Sequence, residues 1–535
     1  MRYSISLLMP DIEWNTAENN EIKIKAFIDQ NNTKYNNIEE LVNTIEKDSK
    51  IYCFGFQLVI AAFELWAKEN IEFWSSIKGF PYSGRPSHDL FVPQHILTSR
   101  RPDAVAKTKY AKLFYNGHEI TLLNVQDSLT QTTLFDIYEN PSKFQSIYNT
   151  FLAIEELEER FYYPEYESRH AAKIPKALPE LSRFIFNINL GNSARDEYLL
   201  RVKGGYLGGY NYLKDTSTQD ELYYCDVKSM YSYMLLNRVY PNPRYTPVEY
   251  AGYYESNLAM HHISYIKAHL KPKHFPTVFN TREIQNKMGL SNNTDLDWHC
   301  HNELLGWITS VDYKLLINNY DIDELVIDKT YYYPVVSSGR KLFGDRIQEI
   351  YDLKEGAEGY EREAYKLILN TFTGSLAMQS HTQYQVDSIT EPSKVVPMKK
   401  KDAPISPWDI AAFMNAYARA YIIEIATLAG FDNVHCISTD AVVVKNITPI
   451  KCYMGKKMGC LDVEKVMYNA HWWRINAYEW QDEEGNWHGK ANGLPQYKYK
   501  HGKKVYAIPV ILQNPKTHKF EYHANRYNIE EEYEE

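Results

Sequence analysis

Residues 223–231 read Tyr-Tyr-Cys-Asp-Val-Lys-Ser-Met-Tyr and place one carboxylate, Asp226, at the end of a run that favours a β-strand. A small polar residue, Ser229, and an aromatic residue, Tyr231, follow it. The pattern Asp-x-x-Ser-x-Tyr occurs often by chance, and an Asp at the end of a strand is usually a turn or capping residue. The stretch becomes informative because two further motifs follow it in a fixed order.

The first motif is Lys-Leu-Ile-Leu-Asn-Thr-Phe-Thr-Gly at residues 366–374, which predicts a helix with Lys366, Asn370 and Thr373 on one face. The second is Ser-Thr-Asp at residues 438–440, inside an apolar, β-branched run. A lone lysine on a helix is usually solvated, but an unpaired charge such as Asp440 is costly in an apolar strand. Two strand carboxylates and a helix lysine together describe a nucleotidyl-transfer site.

This type of site has a defined chemistry. Extension of a nucleic-acid chain is an in-line displacement at phosphate, in which two divalent ions about 3.5–4 Å apart activate the attacking hydroxyl and hold the leaving oxygens. Mg²⁺ keeps several waters, so one or two carboxylates plus substrate phosphates suffice to bind it. Asp226 and Asp440 meet that need, and Lys366 is placed to neutralise a triphosphate.

With these motifs the chain resembles the family B DNA polymerases, specifically the protein-primed branch of small phages, linear plasmids and adenoviruses. Residues 226–231 resemble the first palm motif, residues 366–374 the fingers motif, and Thr439-Asp440 the second palm motif. Lys203-Gly-Gly-Tyr206 resembles the Gly-Gly motif between exonuclease and polymerase domains, and Lys354-Glu-Gly-Ala357 resembles a segment with a second nucleotide-binding lysine. Arg474-Ile-Asn-Ala-Tyr478 resembles the primer-strand Lys-x-Tyr motif, and Lys490-Ala-Asn-Gly493 resembles a thumb-proximal lysine motif.

The resemblance implies a role for each matched residue. Asp226 and Asp440 would be catalytic and, with the Val227 carbonyl, would hold two Mg²⁺ ions, for which Mn²⁺ can substitute. The implied nucleotide-binding residues are Tyr231, which would exclude a 2′-hydroxyl, with Lys354, Lys366, Asn370 and Thr373. The implied DNA-binding residues are Gly204, Gly205, Arg474, Tyr478 and Lys490.

Three positions depart from the family's polymerase motifs. Ser438 stands where the second palm motif usually has its first Asp, although Asp440 keeps the position of the main metal ligand. Thr373 stands where the fingers motif usually has Tyr, which implies a larger or differently shaped nucleotide pocket. Asn476 replaces the lysine of the Lys-x-Tyr motif, so the primer grip is expected to rely on Arg474 and Tyr478.

The N-terminal part departs further. Members of the family usually carry a 3′–5′ exonuclease there, with carboxylates in three motifs. The sequence predicts a first strand at Tyr3–Leu8, with Ser6 and Leu8 at the acidic positions. Gly55 and Val59 stand at the polar positions of the second motif, and the third, near residues 145–152, has no carboxylate. We expect an exonuclease-type domain without activity; Asp11-Ile-Glu13 is the alternative first motif under a shifted alignment.

The predicted fold class is α+β and multidomain: a right-hand polymerase of palm, fingers and thumb, preceded by an RNase H-like exonuclease-type domain. The predicted divisions are 1–190 exonuclease-like, 191–278 first part of the palm, 279–339 an insertion like the family's terminal-protein region 1, 340–378 fingers, 379–406 a hairpin insertion like terminal-protein region 2, 407–470 second part of the palm, and 471–535 thumb and tail. In the fingers, Leu342, Ile347, Ile350 and Tyr351 predict the apolar stripe of one helix. A further helix is predicted from Trp408 to about Ala429, with Gly430 as its stop.

Composition is consistent with this interpretation. The chain has 535 residues, enough for several domains, and six scattered cysteines that suit a reducing cytoplasm. No apolar run approaches the ~20 residues of a membrane helix. The net charge of −9 is unfavourable for nucleic-acid binding, but lysines interleaved with aromatic residues enrich the C-terminal part and suit phosphate contacts beside stacking.

The sequence therefore predicts a cytoplasmic, DNA-directed DNA polymerase in a bacterial host or phage-infected cell, protein-primed and without proofreading. Its expected partners are a DNA template and primer, deoxynucleoside triphosphates and a terminal priming protein, and no membrane. The departures at Ser438, Thr373 and Asn476 leave an untemplated or protein-tagging nucleotidyltransferase as an alternative. A catalytically silent relative that binds DNA or protein is a third.

Overall fold

The computed structural model describes most of the chain. The described ranges are 7–14, 21–46, 49–70, 90–97, 106–115, 118–124, 134–161, 202, 205–252, 261–273, 303–344, 346–377, 383–388, 391–397, 407–491, 494, 498–513 and 519–529. Ser6 and Gly204 lie outside these ranges, as do residues 279–302 of the predicted insertion.

The N-terminal part is a mixed sheet with helices against it. Its elements are β1 (Leu7–Trp14), β2 (Ile22–Asp29), β3 (Lys34–Tyr35), α1 (Ile38–Thr44), β4 (Lys50–Cys53), α2 (Phe56–Asn70), β5 (Leu90–Leu97), β6 (Ala106–Tyr115), β7 (His118–Asn124), α3 (Leu134–Glu139) and α4 (Ser142–Phe161). β4 pairs in parallel with both β1 and β7 at the centre of the sheet. Apolar side chains of these strands and of α1 and α2 form one buried core, which includes Leu8, Leu41 and Val59.

The first strand differs from the prediction of Tyr3–Leu8, because β1 continues to Trp14. Its pairing with β2 runs from Leu8, opposite Asp29, to Trp14, opposite Ile22. These cross-strand partners extend the strand past the point where the local apolar pattern fades. Asp11 and Glu13 therefore lie on the strand itself.

The next part of the chain contains β8 (Tyr210–Leu213), β9 (Leu222–Val227), α5 (Met230–Asn237), β10 (Val239–Pro241), β11 (Val248–Ala251), β12 (His262–Pro272), β13 (Glu303–Thr309), α6 (Ser310–Asn319), β14 (Tyr320–Tyr332), β15 (Val336–Ser338) and α7 (Gly339–Phe343). Four of these strands form a separate sheet in the order β11-β14-β12-β13. β12 is fully paired with β14, from His262 opposite Tyr332 to Pro272 opposite Tyr320. The sheet thus joins strands from both sides of the boundary predicted at residue 278.

The fingers consist of α8 (Arg346–Gly356) and α9 (Gly359–Ser375), followed by the hairpin β16 (Gln383–Ser388) and β17 (Glu391–Pro397). The predicted single helix carrying Leu342 and Ile347 is wrong. Leu342 belongs to the short α7, and the chain breaks at Gly344 with φ +66°, a left-handed conformation that glycine adopts readily. Hairpin β16–β17 pairs with β5 and extends the N-terminal sheet to nine strands.

The remaining elements are α10 (Trp408–Ala429), β18 (Val434–Thr439), β19 (Ala441–Val444), a 3₁₀ helix (Thr448–Tyr453), β20 (Leu461–Arg474), β21 (Ala477–Gln481), β22 (Trp487–Ala491), β23 (Val505–Gln513) and β24 (Phe520–Asn528). The predicted helix from Trp408 to Ala429 is confirmed, and Gly430 ends it with φ +92°. α10 is apolar on most of its circumference, as expected for a helix buried among other elements. No helix of the described ranges is long and apolar enough to span a membrane.

The central sheet has seven antiparallel strands in the order β22-β21-β20-β9-β19-β18-β8. At the C-terminal end, hairpin β23–β24 reaches back to the N-terminal part. Lys519 pairs with Glu21 at 3.0 Å, and the Tyr522 ring meets Phe135 edge-on at 5.5 Å. The N-terminal part therefore contacts both hairpin β16–β17 and hairpin β23–β24.

A buried ion pair fixes the four-stranded sheet to the palm. Arg419 of α10 and Asp312 of α6 are 3% and 0% exposed, and their Nη2 and Oδ1 atoms are 2.8 Å apart. Arg419 also donates hydrogen bonds to the carbonyls of Leu207 and Gly208, at 2.8 and 2.7 Å. Thr309 caps α6 through Asp312, which satisfies the second carboxylate oxygen. Arg419 thus joins its own helix, α10, to α6 and to the loop at residues 207–208, which are far apart in sequence.

Replacement of Asp312 by Ala is expected to leave the Arg419 charge buried and without its partner. Loss of one member of a buried pair costs about 3–5 kcal/mol, so urea denaturation should show a decrease of that size in the free energy of unfolding. Asp321→Ala is the matched control, because Asp321 is 66% exposed and forms a longer ion pair, of 3.7 Å, with Lys273. An exposed pair contributes at most about 1 kcal/mol. Equal effects of the two substitutions would contradict this assignment.

Candidate active site

The register of the central sheet brings the two predicted carboxylates together. Asp226 is on β9 and lies opposite Ala441, the first residue of β19. Asp440 occupies the tight turn between β18 and β19, and its carbonyl accepts a hydrogen bond of 2.9 Å from the Val227 amide. Asp226 and Asp440 are therefore neighbours across adjacent strands, although 214 positions of sequence (440 − 226) separate them.

The turn that carries Asp440 needs space that a glycine provides. Thr439 has a left-handed backbone, with φ +60°, and the Asp440 amide donates to the Ser438 carbonyl at 2.7 Å. Gly209 packs directly against this turn, because a Cβ at position 209 would lie 2.5 Å from Thr439 Cγ2 and 3.1 Å from its Cα. A side chain at position 209 would therefore push the turn and Asp440 away from β9.

The two carboxylates raise each other's cost of ionisation. Loss of solvation, reinforced by the Asp440 charge, raises the pKa of Asp226 to about 8. Burial also raises the pKa of Asp440. The exposed Glu464 adds negative charge nearby, and Lys490 is a compensating positive charge for both. Two partly buried carboxylates that repel one another form a site that gains stability by binding a cation.

The residues present fit a divalent metal site. Hard oxygen donors from Asp226 and Asp440 are the ligand type that Mg²⁺ prefers, with waters and substrate phosphates completing its octahedron. Within the described ranges, no group of three or more His, Cys, Asp or Glu side chains converges on a possible metal position. The oxygen donors that the sheet register brings together here are the carboxylates of Asp226 and Asp440.

Tyr231 and Lys354 lie beside the carboxylates. Tyr231 is in the first turn of α5, and burial, reinforced by the negative charge of Asp440, raises the pKa of its hydroxyl. Lys354 of α8 is buried, and its Nζ donates a hydrogen bond of 2.9 Å to Ser229 Oγ. Burial lowers the pKa of Lys354, while Glu355, at 3.3 Å, favours its charged form. This lysine is thus positioned at the same chain segment that carries Asp226.

The helix predicted for the fingers motif is confirmed. Lys366, Asn370 and Thr373 all lie within α9. Lys366 is 57% exposed, and in the part of the chain that the structure describes its ion-pair contact is a weak one of 3.9 Å with Glu363, so its charge is available to a ligand. Thr373 is buried and donates to the Asn370 carbonyl at 2.8 Å.

The residues predicted to bind DNA occupy different environments. Lys490 on β22 is exposed and pairs across the sheet with Tyr478. Tyr478 is only 2% exposed and stacks between Tyr224 and Trp472. Arg474 is buried and donates to Tyr527 Oη at 3.1 Å. The DNA contacts expected of Arg474 and Tyr478 stay predictions.

The exonuclease positions are occupied by core residues. Leu8 and Val59, at two of the expected acidic positions, are both 0% exposed and belong to the apolar core of the N-terminal part. The alternative pair is engaged on the sheet surface: Asp11 lies 2.8 Å from Lys34, and Glu13 lies 3.4 Å from Lys25.

Three residues that the sequence did not single out contribute to the site. Gly209 makes room for the Asp440 turn, and Arg419 holds the neighbouring loop. Lys465 of β20 lies opposite Tyr224, one strand away from Asp226. An arginine inside an apolar helix was a signal present in the sequence, whereas the pairing of the Lys465 strand with the Asp226 strand is visible only in the structure. Their partners depend on strand register, which local patterns do not reveal.

Comparisons with known proteins support the overall fold. Residues 192–406 match the family described as DNA polymerase type B, organellar and viral. The structure is similar to phi29 DNA polymerase complexed with primer-template DNA and incoming nucleotide substrates, with a TM-score of 0.69, 15% identity and coverage of 98% of this chain and 100% of that one. An orthorhombic crystal form of phi29 DNA polymerase gives a TM-score of 0.68, 15% identity and coverage of 99% and 100%. A search of curated protein sequences finds no match.

The predicted fold class, a multidomain right-hand polymerase, is confirmed over essentially the whole chain. Residues 192–406 thus match the type B DNA polymerases of the organellar and viral group, and the whole chain has the fold of phi29 DNA polymerase.

Replacement of Gly209 by Ala is expected to displace Asp440 and reduce nucleotide incorporation by at least tenfold, as misplacement of a reacting group by about 1 Å can cost about a hundredfold. Gly208→Ala is the matched control, because nothing lies within 4 Å of a Cβ at that position. Primer extension at saturating nucleotide would measure both variants. Equal activity in the two would show that the turn tolerates a side chain at position 209.

Proposed function

We propose that this DNA polymerase extends DNA by two-metal-ion nucleotidyl transfer at Asp226 and Asp440. The observation that carries the proposal is the pair of adjacent, partly buried carboxylates on β9 and on the β18–β19 turn. Two Mg²⁺ ions, or Mn²⁺ in their place, would supply activation of the attacking hydroxyl and stabilisation of the leaving oxygens. Asp226, Asp440 and the Val227 carbonyl would hold them.

The remaining residues of the site bind and orient the nucleotide. Lys354, fixed by its hydrogen bond to Ser229, would face the triphosphate beside Asp226. Lys366 would approach from the exposed face of α9. Two lysine ammonium groups neutralise phosphate charge that would otherwise oppose the approach of the primer. Tyr231, packed near Asp440, would lie under the sugar and exclude a ribose 2′-hydroxyl.

The substrates follow from the same likeness. Phi29 DNA polymerase has been solved with primer-template DNA and with single-stranded DNA. We infer that this chain also takes a DNA template and primer with deoxynucleoside triphosphates. The exposed Lys490, whose charge acts on both carboxylates, supports a DNA path along this face of the central sheet. Gly205 packs against Ile263 and Trp307 of the four-stranded sheet.

We further propose that the N-terminal part lacks 3′–5′ exonuclease activity. The support is physical: Leu8 and Val59 are sealed in an apolar core, where neither water nor a cation can be accommodated without cost. Its contacts with hairpins β16–β17 and β23–β24 suggest that this part serves instead as a frame that holds both hairpins over the palm.

Initiation on a protein is proposed for the same enzyme. The four-stranded sheet presents an edge strand, β11, whose Val248 and Tyr250 are 44% and 43% exposed. An exposed apolar edge of this kind is suited to binding another protein. The occupant would be a priming protein whose Ser, Thr or Tyr hydroxyl accepts the first nucleotide in place of a 3′-hydroxyl.

Cys53, Cys225, Cys436, Cys452 and Cys460 are free thiols, which supports action in a reducing cytoplasm.

Substitution of either catalytic carboxylate tests the two-metal proposal. Asp226→Asn or Asp440→Asn should lower templated primer extension at least a thousandfold, because each removes one ligand charge, while affinity for primer-template stays within about threefold. Asp462→Asn is the control, since Asp462 lies directly opposite Asp226 on β20 but is 57% exposed and paired with Lys228. Near-normal extension by either catalytic variant would contradict the assignment. Extension by the unsubstituted chain that does not follow the template sequence would favour an untemplated nucleotidyltransferase. Shortening of the primer from its 3′ end, when no nucleotides are present, would contradict the proposed absence of proofreading.

Protein priming predicts a labelled protein. The chain, incubated with labelled deoxynucleotides and an extract of cells that carry its gene, should transfer label to a protein that protease destroys and nuclease does not. A variant with Val248→Ser and Tyr250→Ser should lose this labelling but keep extension of a DNA primer. A variant that retains both activities would remove β11 as the docking edge, and absence of labelled protein with the unsubstituted chain would contradict protein priming.

A further inference from the structure

Lys465 is held in an unusual environment beside the catalytic carboxylates. Its ammonium group lies over three aromatic rings, 4.2 Å from the centre of Tyr224, 4.3 Å from that of Trp480 and 5.2 Å from that of Tyr478. Its Nζ also donates a hydrogen bond of 3.1 Å to Tyr478 Oη. Three ring faces and one hydroxyl fix the direction of a side chain that is flexible on most surfaces.

The cage does not satisfy this lysine. An ammonium group has three donors, and the hydrogen bond to Tyr478 uses one. In the parts of the chain that the structure describes, no carboxylate lies within ion-pair distance of its Nζ, although the charges of Asp226 and Glu464 act on it. Burial, with repulsion from Lys490, lowers the pKa of Lys465 to about 8. An anion bound beside the Lys465 ammonium group would compensate for the solvation that burial removes.

Its location indicates which anion. Lys465 lies opposite Tyr224, and Tyr224 shares a sheet face with Asp226, two residues further along β9. A primer whose 3′-hydroxyl reaches Asp226 must lay its last phosphodiesters along this face. The Lys-x-Tyr segment has Asn476 at its lysine position, and Lys465 contacts Tyr478, the tyrosine of that segment, from a different strand.

We propose that Lys465 binds a terminal phosphodiester of the primer strand and positions the 3′-hydroxyl at Asp226, so that β20 supplies the cation that position 476 lacks. The proposal rests on the proposed polymerase function. It assigns a substrate-binding role to a lysine that the motifs do not mark, and it assigns Tyr224, Tyr478 and Trp480 the role of aiming that lysine.

The test compares the binding of Lys465→Met and of the unsubstituted chain to a fluorescent primer-template. Binding is measured by fluorescence anisotropy in the presence of Ca²⁺, and this measurement does not require turnover. Methionine fills the same linear space without charge, so the melting temperature should not fall. We expect the Kd to rise about tenfold and the slope of log Kd against log salt to decrease by about one, the signature of one lost phosphate contact. Lys445→Met, at the far end of β19 and paired with Asp220, is the control for loss of a charge.

A second arm locates the contact. Neutral methylphosphonates are placed singly at each of the last four primer linkages. At one of them the substitution should weaken binding of the unsubstituted chain but not of Lys465→Met, since a contact that is already lost cannot be lost twice. If Lys465→Met does not fold, Lys465→Gln takes its place.

The outcomes separate the two proposals. An unchanged Kd and salt slope in Lys465→Met, or equal sensitivity of both proteins at all four linkages, would show that the cage is structural. Absence of primer-template binding by the unsubstituted chain would instead contradict the proposed polymerase function.

Discussion

The structure depends on one electrostatic constraint: two like charges, Asp226 and Asp440, must be held together in a partly buried place. Burial, reinforced by their mutual repulsion, favours protonation and raises the pKa of Asp226 to about 8. A fold that keeps such a pair must supply rigidity from elsewhere, and it gains from any cation that binds between them. The cost in stability is thereby coupled to the metal binding that we propose for the pair.

The rigidity comes from backbone geometry rather than from side chains of the site. The antiparallel register of β9 with β19 sets the spacing, and the Val227 amide holds the Asp440 carbonyl. Gly209 lets a neighbouring loop pack against the Asp440 turn, and Arg419 holds that loop through the carbonyls of Leu207 and Gly208. The buried pair of Arg419 with Asp312 therefore supports the Asp440 turn from a distance, and it also fixes the four-stranded sheet to α10.

The sequence predicted the features that local chemistry determines. A charge inside an apolar, β-branched run identified Asp440, although the residue lies in the turn between β18 and β19 and not on a strand. An apolar pattern followed by Gly430 correctly predicted the helix α10 from Trp408 to Ala429. Features that depend on distant partners were missed or misplaced. β1 extends to Trp14 because of β2, Leu342 and Ile347 are on separate helices because the chain breaks at Gly344, and the cage of Lys465 exists only because β20 lies between β9 and β21. Sequence spacing cannot supply a register that tertiary packing decides.

The central claim is that Asp226 and Asp440 jointly hold two divalent ions. The most direct measurement is to count bound Mn²⁺ by electron paramagnetic resonance in a complex with template, a dideoxy-terminated primer and a non-hydrolysable nucleotide. The account predicts two tightly bound ions per chain, and loss of at least one of them when Asp226 or Asp440 is replaced by Asn. Two ions retained with unchanged affinity in both variants would contradict it.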